Sequence, residues 1–308
     1  MSDAFLRRYG YVNPKKLPKF EFTGVCETYQ DASGWMISLK TSGDLTFISK
    51  LPDGVDVFLV GGGAGGRAGG GSATGGAGGR TATVNKLMPS RKVGYPIVIG
   101  AGGAGGVSSG SGFGQNGQPT KAFGFEVAGG TAYETIQLRD STVYVGGSGG
   151  SGGGTPTYNY QGYVGESGRG GSDGGNGGSA RVRYAIYGGY EDGYARGGYG
   201  QGYTTRAFGE SSGMRFASGG GCGGIYVNNQ ITSDPTNGGE GDTIAYLGNI
   251  NTGGGSGGTA GETSGTVGGS AAPNSGSGGG GGGMRSESYG TYDGGAGGSG
   301  VVIIRNAR

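Results

Sequence analysis

Apolar and polar residues alternate in short runs along much of the chain. In Gly34–Lys40, G-W-M-I-S-L-K, the side chains of Trp35, Ile37 and Leu39 share one face. In Ala180–Tyr187, A-R-V-R-Y-A-I-Y, the set Ala180, Val182, Tyr184 and Ile186 alternates with Arg181 and Arg183. Similar runs are D-L-T-F-I-S (44–49), Y-P-I-V-I (95–99), Y-E-T-I-Q-L (133–138) and T-V-Y-V (142–145). A period of two over such lengths predicts strands. No long window carries a helical period, and Ser2–Tyr9 offers at most one short N-terminal turn.

Several of these strands feed directly into glycine: Val55–Val60, Ile97–Ile99 and Val143–Val145. The C-terminal stretch G-G-A-G-G-S-G-V-V-I-I-R (294–305) inverts that order. Glycine supplies 86 of 308 residues, roughly four times its usual share. Its spacing has a period of three. Gly-Gly-X-Gly-Gly-X occurs at 62–67, 75–80, 102–107, 146–151, 174–179, 220–225, 254–259 and 294–299. A polyproline-II-type helix has three residues per turn, rises about 3.1 Å per residue and makes no internal hydrogen bonds. With Gly-Gly-X on such a helix, two of its three edges are bare backbone, open to sideways hydrogen bonds from neighbours. Collagen does not fit, because glycine is not strictly every third residue and Pro totals 9. The expected fold is therefore all-β with a polyglycine-II helix lattice: short strands flank packed extended glycine helices, with very little α-helix. The competing reading is a flexible glycine linker.

V-D-V-F-L-V-G-G-G-A-G-G (55–66) also matches the spacing of a dinucleotide-binding turn at Gly61, Gly63 and Gly66. That turn must open a helix. Here the chain continues as R-A-G-G-G-S-A-T-G-G-A-G-G-R, and each glycine costs a helix about 1 kcal/mol relative to alanine. The acidic residue required about twenty positions on is replaced by V-N-K-L-M-P. The same spacing recurs at Gly100, Gly102 and Gly105. No cofactor is expected.

Composition removes further chemistry. The chain has no histidine, so Ser-His-Asp and Cys-His nucleophiles and His-containing zinc sites are excluded. No catalytic or metal-binding set emerges; acidic residues such as Asp173, Glu191 and Asp192 form no paired-carboxylate signature. Cys26 and Cys222 are far apart in sequence and read as two unpaired thiols or one long-range disulfide. Leu, Ile, Val and Phe together number 49, a low apolar content that implies disorder only alongside high net charge, and here the net charge is +2. Scattered charges give no electrostatic case for a nucleic-acid partner. The first ten residues lack the apolar core of a signal peptide, and no apolar run is long enough to span a membrane.

Tyrosine is unevenly placed. Of 19, nine fall between Tyr158 and Tyr203, and G-G-Y-E-D-G-Y-A-R-G-G-Y-G-Q-G-Y (188–203) has the composition of an antibody paratope. Tyrosine offers large contact area at low entropy cost, with a hydroxyl for hydrogen bonds. The candidate receptor-binding residues are Tyr158, Tyr160, Tyr163, Tyr190, Tyr194, Arg196, Tyr199 and Tyr203; Tyr184, on an alternating strand, reads as core. Arg169-Gly-Gly and Arg196-Gly-Gly also fit a disordered RNA-binding segment, although two copies are few.

T-S-G-D-L-T-F (41–47), D-G-V-D-V-F-L-V-G-G-G-A-G-G (53–66), T-T-R-A-F-G-E (204–210) and G-G-S-G-V-V-I-I-R (297–305) together resemble the glycine-rich domain of bacteriophage tail proteins. In architecture the chain is similar to tail-fibre tip adhesins, in which polyglycine helices form a rigid sandwich and loops between them bind the host. The resemblance implies a domain over residues 41–308. Residues 1–40, with P-K-K-L-P-K at Pro14–Lys19, match nothing in it and read either as an N-terminal arm that docks onto other virion proteins or as a disordered leader. It implies a virion protein, extracellular without a signal peptide, that is no enzyme and whose partner is a host surface glycan or protein. A purely structural virion role is the alternative, and assembly into a homo-oligomer stays open.

Overall fold

The computed structural model describes residues 15–69, 73–137, 142–155, 205–227, 230–233, 238, 243–244, 250–251, 254–255, 265–284 and 291–308. Its strands are β1 (Phe20–Phe22), β2 (Cys26–Gln30), β3 (Trp35–Leu39), β4 (Gly43–Phe47), β5 (Val55–Val60), β6 (Thr81–Leu87), β7 (Gly94–Ile97) and β8 (Thr120–Ala122). They continue as β9 (Phe125–Val127), β10 (Tyr133–Gln137), β11 (Thr142–Gly146), β12 (Ile225–Val227), β13 (Gln230–Ser233), β14 (Thr243–Ile244), β15 (Ile250–Asn251) and β16 (Val301–Asn306). A single 3-10 turn, Ala207–Gly209, interrupts this all-β content among the described residues. The runs predicted at 34–40, 44–49, 55–60, 95–99, 133–138, 142–145 and the C-terminus are all strands, within a few residues at their ends. Ala180–Tyr187 and Ser2–Tyr9 lie outside the described residues.

Five antiparallel strands make the central sheet, in the order β2-β3-β16-β5-β6. A second sheet, β1-β4-β7, covers one face and continues into the β8–β9 hairpin through a bridge between Val98 and Lys121. The period of two sorts the side chains. Val55, Val57 and Leu59 of β5 and Val302 and Ile304 of β16 pack with Trp35, Ile37, Leu39, Leu45, Phe47 and Ile97 between the sheets. The alternate residues Phe58, Val60, Val301 and Ile303 face the other way, onto Phe208 and Phe216. Both strands are therefore buried on both faces, which explains their continuous apolar sequences. Residues 20–39, within the stretch set apart as an arm, supply β1, β2 and β3, and β3 pairs directly with β16.

Beyond the sheets the chain enters glycine tracts, and there the hydrogen-bond period changes from two to three. Along residues 61–69, the amides of Gly61, Ala64 and Arg67 donate to the carbonyls of Arg80, Ala77 and Thr74. Those of Gly62, Gly65 and Ala68 donate to Gln118, Gln115 and Gly112, and those of Gly63, Gly66 and Gly69 to Gly298, Gly295 and Tyr292. Each edge of the tract thus serves one antiparallel neighbour, three residues at a step. Carbonyls of the same tract accept from Gly103 and Gly106, from Gly130, and from Gly279 and Gly282. The tract sits inside a sheath of three neighbours receiving its amides and three more bonding its carbonyls, as parallel axes with three residues per turn require. Among the described residues the glycine tracts form an ordered hydrogen-bonded body rather than a linker.

Close approach is the reason for the residue type. A Cβ on Gly63 would overlap the Ser277 carbonyl oxygen, and one on Gly65 would overlap that of Ala104. Alanine is tolerated at the X positions, where Ala64 and Ala77 are fully buried and hydrogen-bonded to each other across antiparallel copies of G-G-A-G-G-R. Gly63→Ala should therefore lower unfolding stability by about 3 kcal/mol, the upper part of the overpacking range, because rigid backbone is the obstacle. Gly110→Ala, whose nearest new neighbour is the Val107 carbonyl oxygen at 3.6 Å, should stay within roughly 0.5 kcal/mol of wild type. Paired urea melts check both; equal losses would contradict the packing account.

Candidate binding surface

Gly61, Gly63 and Gly66, the glycines of the nucleotide-like spacing, continue from β5 as extended chain. Their amides are committed to the carbonyls of Arg80, Gly298 and Gly295 at 2.8–2.9 Å. No amide among them is left to cradle a phosphate, so the spacing is a by-product of the lattice. Among the described residues, no group of three or more Cys, Asp or Glu side chains could hold a metal ion. No helix there is long and apolar enough to cross a membrane. No disulfide joins Cys26 and the buried Cys222.

The chain belongs to the glycine-rich domain family. That family matches residues 40–307, the span that carries the lattice and every strand from β4 to β16, while β1, β2 and β3 precede it. No curated protein shows significant sequence similarity to the chain.

The tyrosine-rich segment expected to bind, with Tyr158, Tyr160, Tyr163, Tyr190, Tyr194, Arg196, Tyr199 and Tyr203, lies outside the described residues. The structure does place the described residues on either side of it, Thr155 and Thr205. On the outgoing side Thr155 is buried, and its Oγ1 accepts the Gly146 amide at 2.8 Å. Its neighbour Gly154 donates to Gly220 and accepts from Gly75, both at 2.9 Å. On the returning side Thr205 is buried and its carbonyl accepts the Phe216 amide at 2.9 Å. Gly220 lies only four residues beyond Phe216, so both anchors bond to one short segment.

The returning segment is fastened to the sheet by T-R-A-F-G-E (205–210). Phe208 (φ 61) and Gly209 (φ 67) both adopt left-handed backbone. This turn lays the Phe208 ring against Phe58, with centroids 6.0 Å apart, and beneath the Arg305 guanidinium at 3.9 Å. Arg305 is itself buried, and it binds Asp56 at 3.2 Å and Glu210 at 2.7 Å. A charge this deep is tolerable because it is paired, hydrogen-bonded and stacked at once. The Arg305 hydrogen bond holds the Glu210 carboxyl below its ordinary value of 4.5.

A second fastening involves residues that carry no obvious signal in the sequence. Arg67, an X residue of the first G-G-A-G-G-R, projects from the lattice with its guanidinium carbon 4.5 Å from the Phe113 ring and 4.3 Å from the Tyr144 ring. Tyr133 stacks on Phe113 at 4.7 Å and meets Tyr144 edge-on at 5.7 Å. Burial lowers the Arg67 pKa. Tyr133 and Tyr144 come from β10 and β11, so the cluster clamps that hairpin onto the side of the lattice. The one available hint is a single aromatic, Phe113, isolated in G-S-G-F-G-Q.

Each fastening can be loosened separately. Because the folded-state pKa of Glu210 is depressed, its contribution is complete above the unfolded-state value and is lost as pH falls through the lower folded-state one. Glu210→Gln should thus narrow the stability gap between neutral and acidic pH, read as melting temperature against pH. Phe113→Ala should speed amide exchange across Tyr133–Gly146 by about tenfold, the loss of roughly 1.4 kcal/mol of stacking, with β5 and β16 unchanged.

Proposed function

We propose that this glycine-rich protein is a non-enzymatic part of a bacteriophage tail that recognises the host bacterial surface. The observation that carries the reading is the pair of buried anchors, Thr155 and Thr205, on the flank of a hydrogen-bonded lattice. A tyrosine-rich segment held at both ends by a stiff body loses less entropy on meeting a receptor than a free chain would. Its composition suits a surface glycan or protein. In this reading the protein acts outside the cell as a component of the virion. It enters neither a membrane nor a complex with nucleic acid, and its N-terminal region joins it to other virion proteins.

Simultaneous replacement of Tyr190, Tyr194 and Tyr199 by alanine should leave the melting temperature unchanged and abolish adsorption of the purified protein to a panel of enteric bacterial cells. Unchanged adsorption by the triple variant removes the segment from the binding role. Wild-type protein that binds phage particles but no cell in the panel assigns the chain a purely structural virion role instead.

A further inference from the structure

The lattice occupies one end of the two sheets. Residues Val60, Ile97 and Val301 adjoin it, while the opposite ends of the same strands lie away from it. That opposite end gathers cations which the sequence scatters. Lys15, Lys16 and Lys19 lead into β1, where the Lys19 carbonyl accepts the amides of Ile48 and Ser49 at 2.8 and 3.1 Å. Lys50 comes directly after them in the chain. Arg91 and Lys92 come from the β6–β7 connection, and the Lys92 amide donates to Phe47 at 2.8 Å. Lys86 joins them from the bulged end of β6, its amide bonded to Asp56 Oδ1 at 3.0 Å. Arg308 closes the group beyond β16, whose Asn306 pairs with Val55. All these side chains are exposed. The exposed carboxylates at this end are Asp31 and Asp53, with Glu21 one residue into β1; Glu210, with a 41% exposed side chain, binds Arg305 and lies in the field of Arg308. Cations still predominate at this end although the chain as a whole carries +2.

Charge is accompanied by apolar surface. Met88 and Val93, on the connection that bears Arg91 and Lys92, are 62% and 45% exposed. We propose that this end is a docking surface for an acidic polypeptide face, one presenting carboxylates around one or two apolar side chains. A mixture of apolar centre and charged surround is the composition of protein interfaces. Complementary charge steers the encounter and fixes the orientation. Nucleic acid fits less well: the exposed aromatic here, Tyr29, has its hydroxyl committed to the Asp31 carboxylate at 3.0 Å, and that carboxylate repels phosphate. The inference goes beyond the proposed function and is independent of what the tyrosine-rich segment binds.

The test uses the full chain and three fluorescent probes: an all-Glu peptide, a mixed Glu/Leu peptide and a short DNA duplex, followed by anisotropy at low and high salt. Wild type should prefer the Glu/Leu peptide and release both peptides as salt rises. The combined Lys50→Glu, Arg91→Glu and Lys92→Glu variant should lose about tenfold or more in peptide affinity, while Arg80→Glu, beside the lattice, should leave it unchanged. Met88→Ser with Val93→Ser should weaken the Glu/Leu peptide and spare the all-Glu peptide. Wild-type melting curves for each variant confirm that folding is intact. Tighter binding of the duplex than of either peptide assigns the end to nucleic acid and overturns the proposal. So does equal weakening by Arg80→Glu, or no weakening by the charge reversals.

Discussion

A main-chain amide can reach the carbonyl of a neighbouring parallel axis only where no Cβ stands between them. That restriction governs the molecule. It makes glycine obligatory where a tract faces neighbouring main chain closely, as at Gly63 and Gly65, whose Cβ would overlap a neighbour's carbonyl oxygen. It also leaves the third position of Gly-Gly-X as the outlet for side chains. Ala64 and Ala77 fill that position inside the lattice, and Arg67 leaves it to find aromatic partners. A glycine chain loses more backbone freedom on ordering than any other. That loss is offset by the number of mutually dependent bonds, each contributing only about 1 kcal/mol net.

Such a lattice needs an edge that fixes its register, and the sheets provide it. β5 and β16 pair residue by residue from Val55–Asn306 to Val60–Val301, and their continuations bond immediately afterwards as glycine tracts. Thr120 marks the junction: its hydroxyl donates to the Val60 carbonyl at 2.7 Å and accepts the Gly100 amide at 2.9 Å. Asn274 does the same elsewhere, donating to the carbonyls of Lys40 and Gly300 at 2.7 and 3.1 Å. The hydrophobic core and the hydrogen-bonded body are thus one continuous object, in which a modest apolar content is concentrated where it sets alignment.

This division gives the molecule two unlike ends and a flank. The sheets carry the apolar cores and, at their far end, the positive charge. The lattice carries almost no exposed chemistry of its own, yet it fixes the anchors of the tyrosine-rich segment and, through Arg67, the β10–β11 hairpin. The bonds along residues 61–69 run from main chain to main chain, so variation in what is held there does not remove them.

The sequence by itself determined β3, β4, β5, β7, β10, β11 and β16, whose apolar runs are short and marked, but gave no such signal for β1, β2, β6, β8 or β9. It also marked the described Gly-Gly-X tracts, whose amides bond to each neighbour at every third residue. It excluded histidine chemistry outright and concentrated nine of 19 tyrosines between Tyr158 and Tyr203. Only the tertiary structure decided which tract lies against which, because glycine–glycine contacts carry no side-chain code: 61–69 neighbours 292–298 as closely as it neighbours 74–80. It also revealed Arg305, Asp56, Phe208 and Glu210 as one cluster, joining residues more than two hundred positions apart that look like ordinary strand and loop residues. The basic end was hidden for the same reason. Its cations come from the N-terminal stretch, two loops, the end of β6 and the C-terminus, and only the strand register brings them to one side.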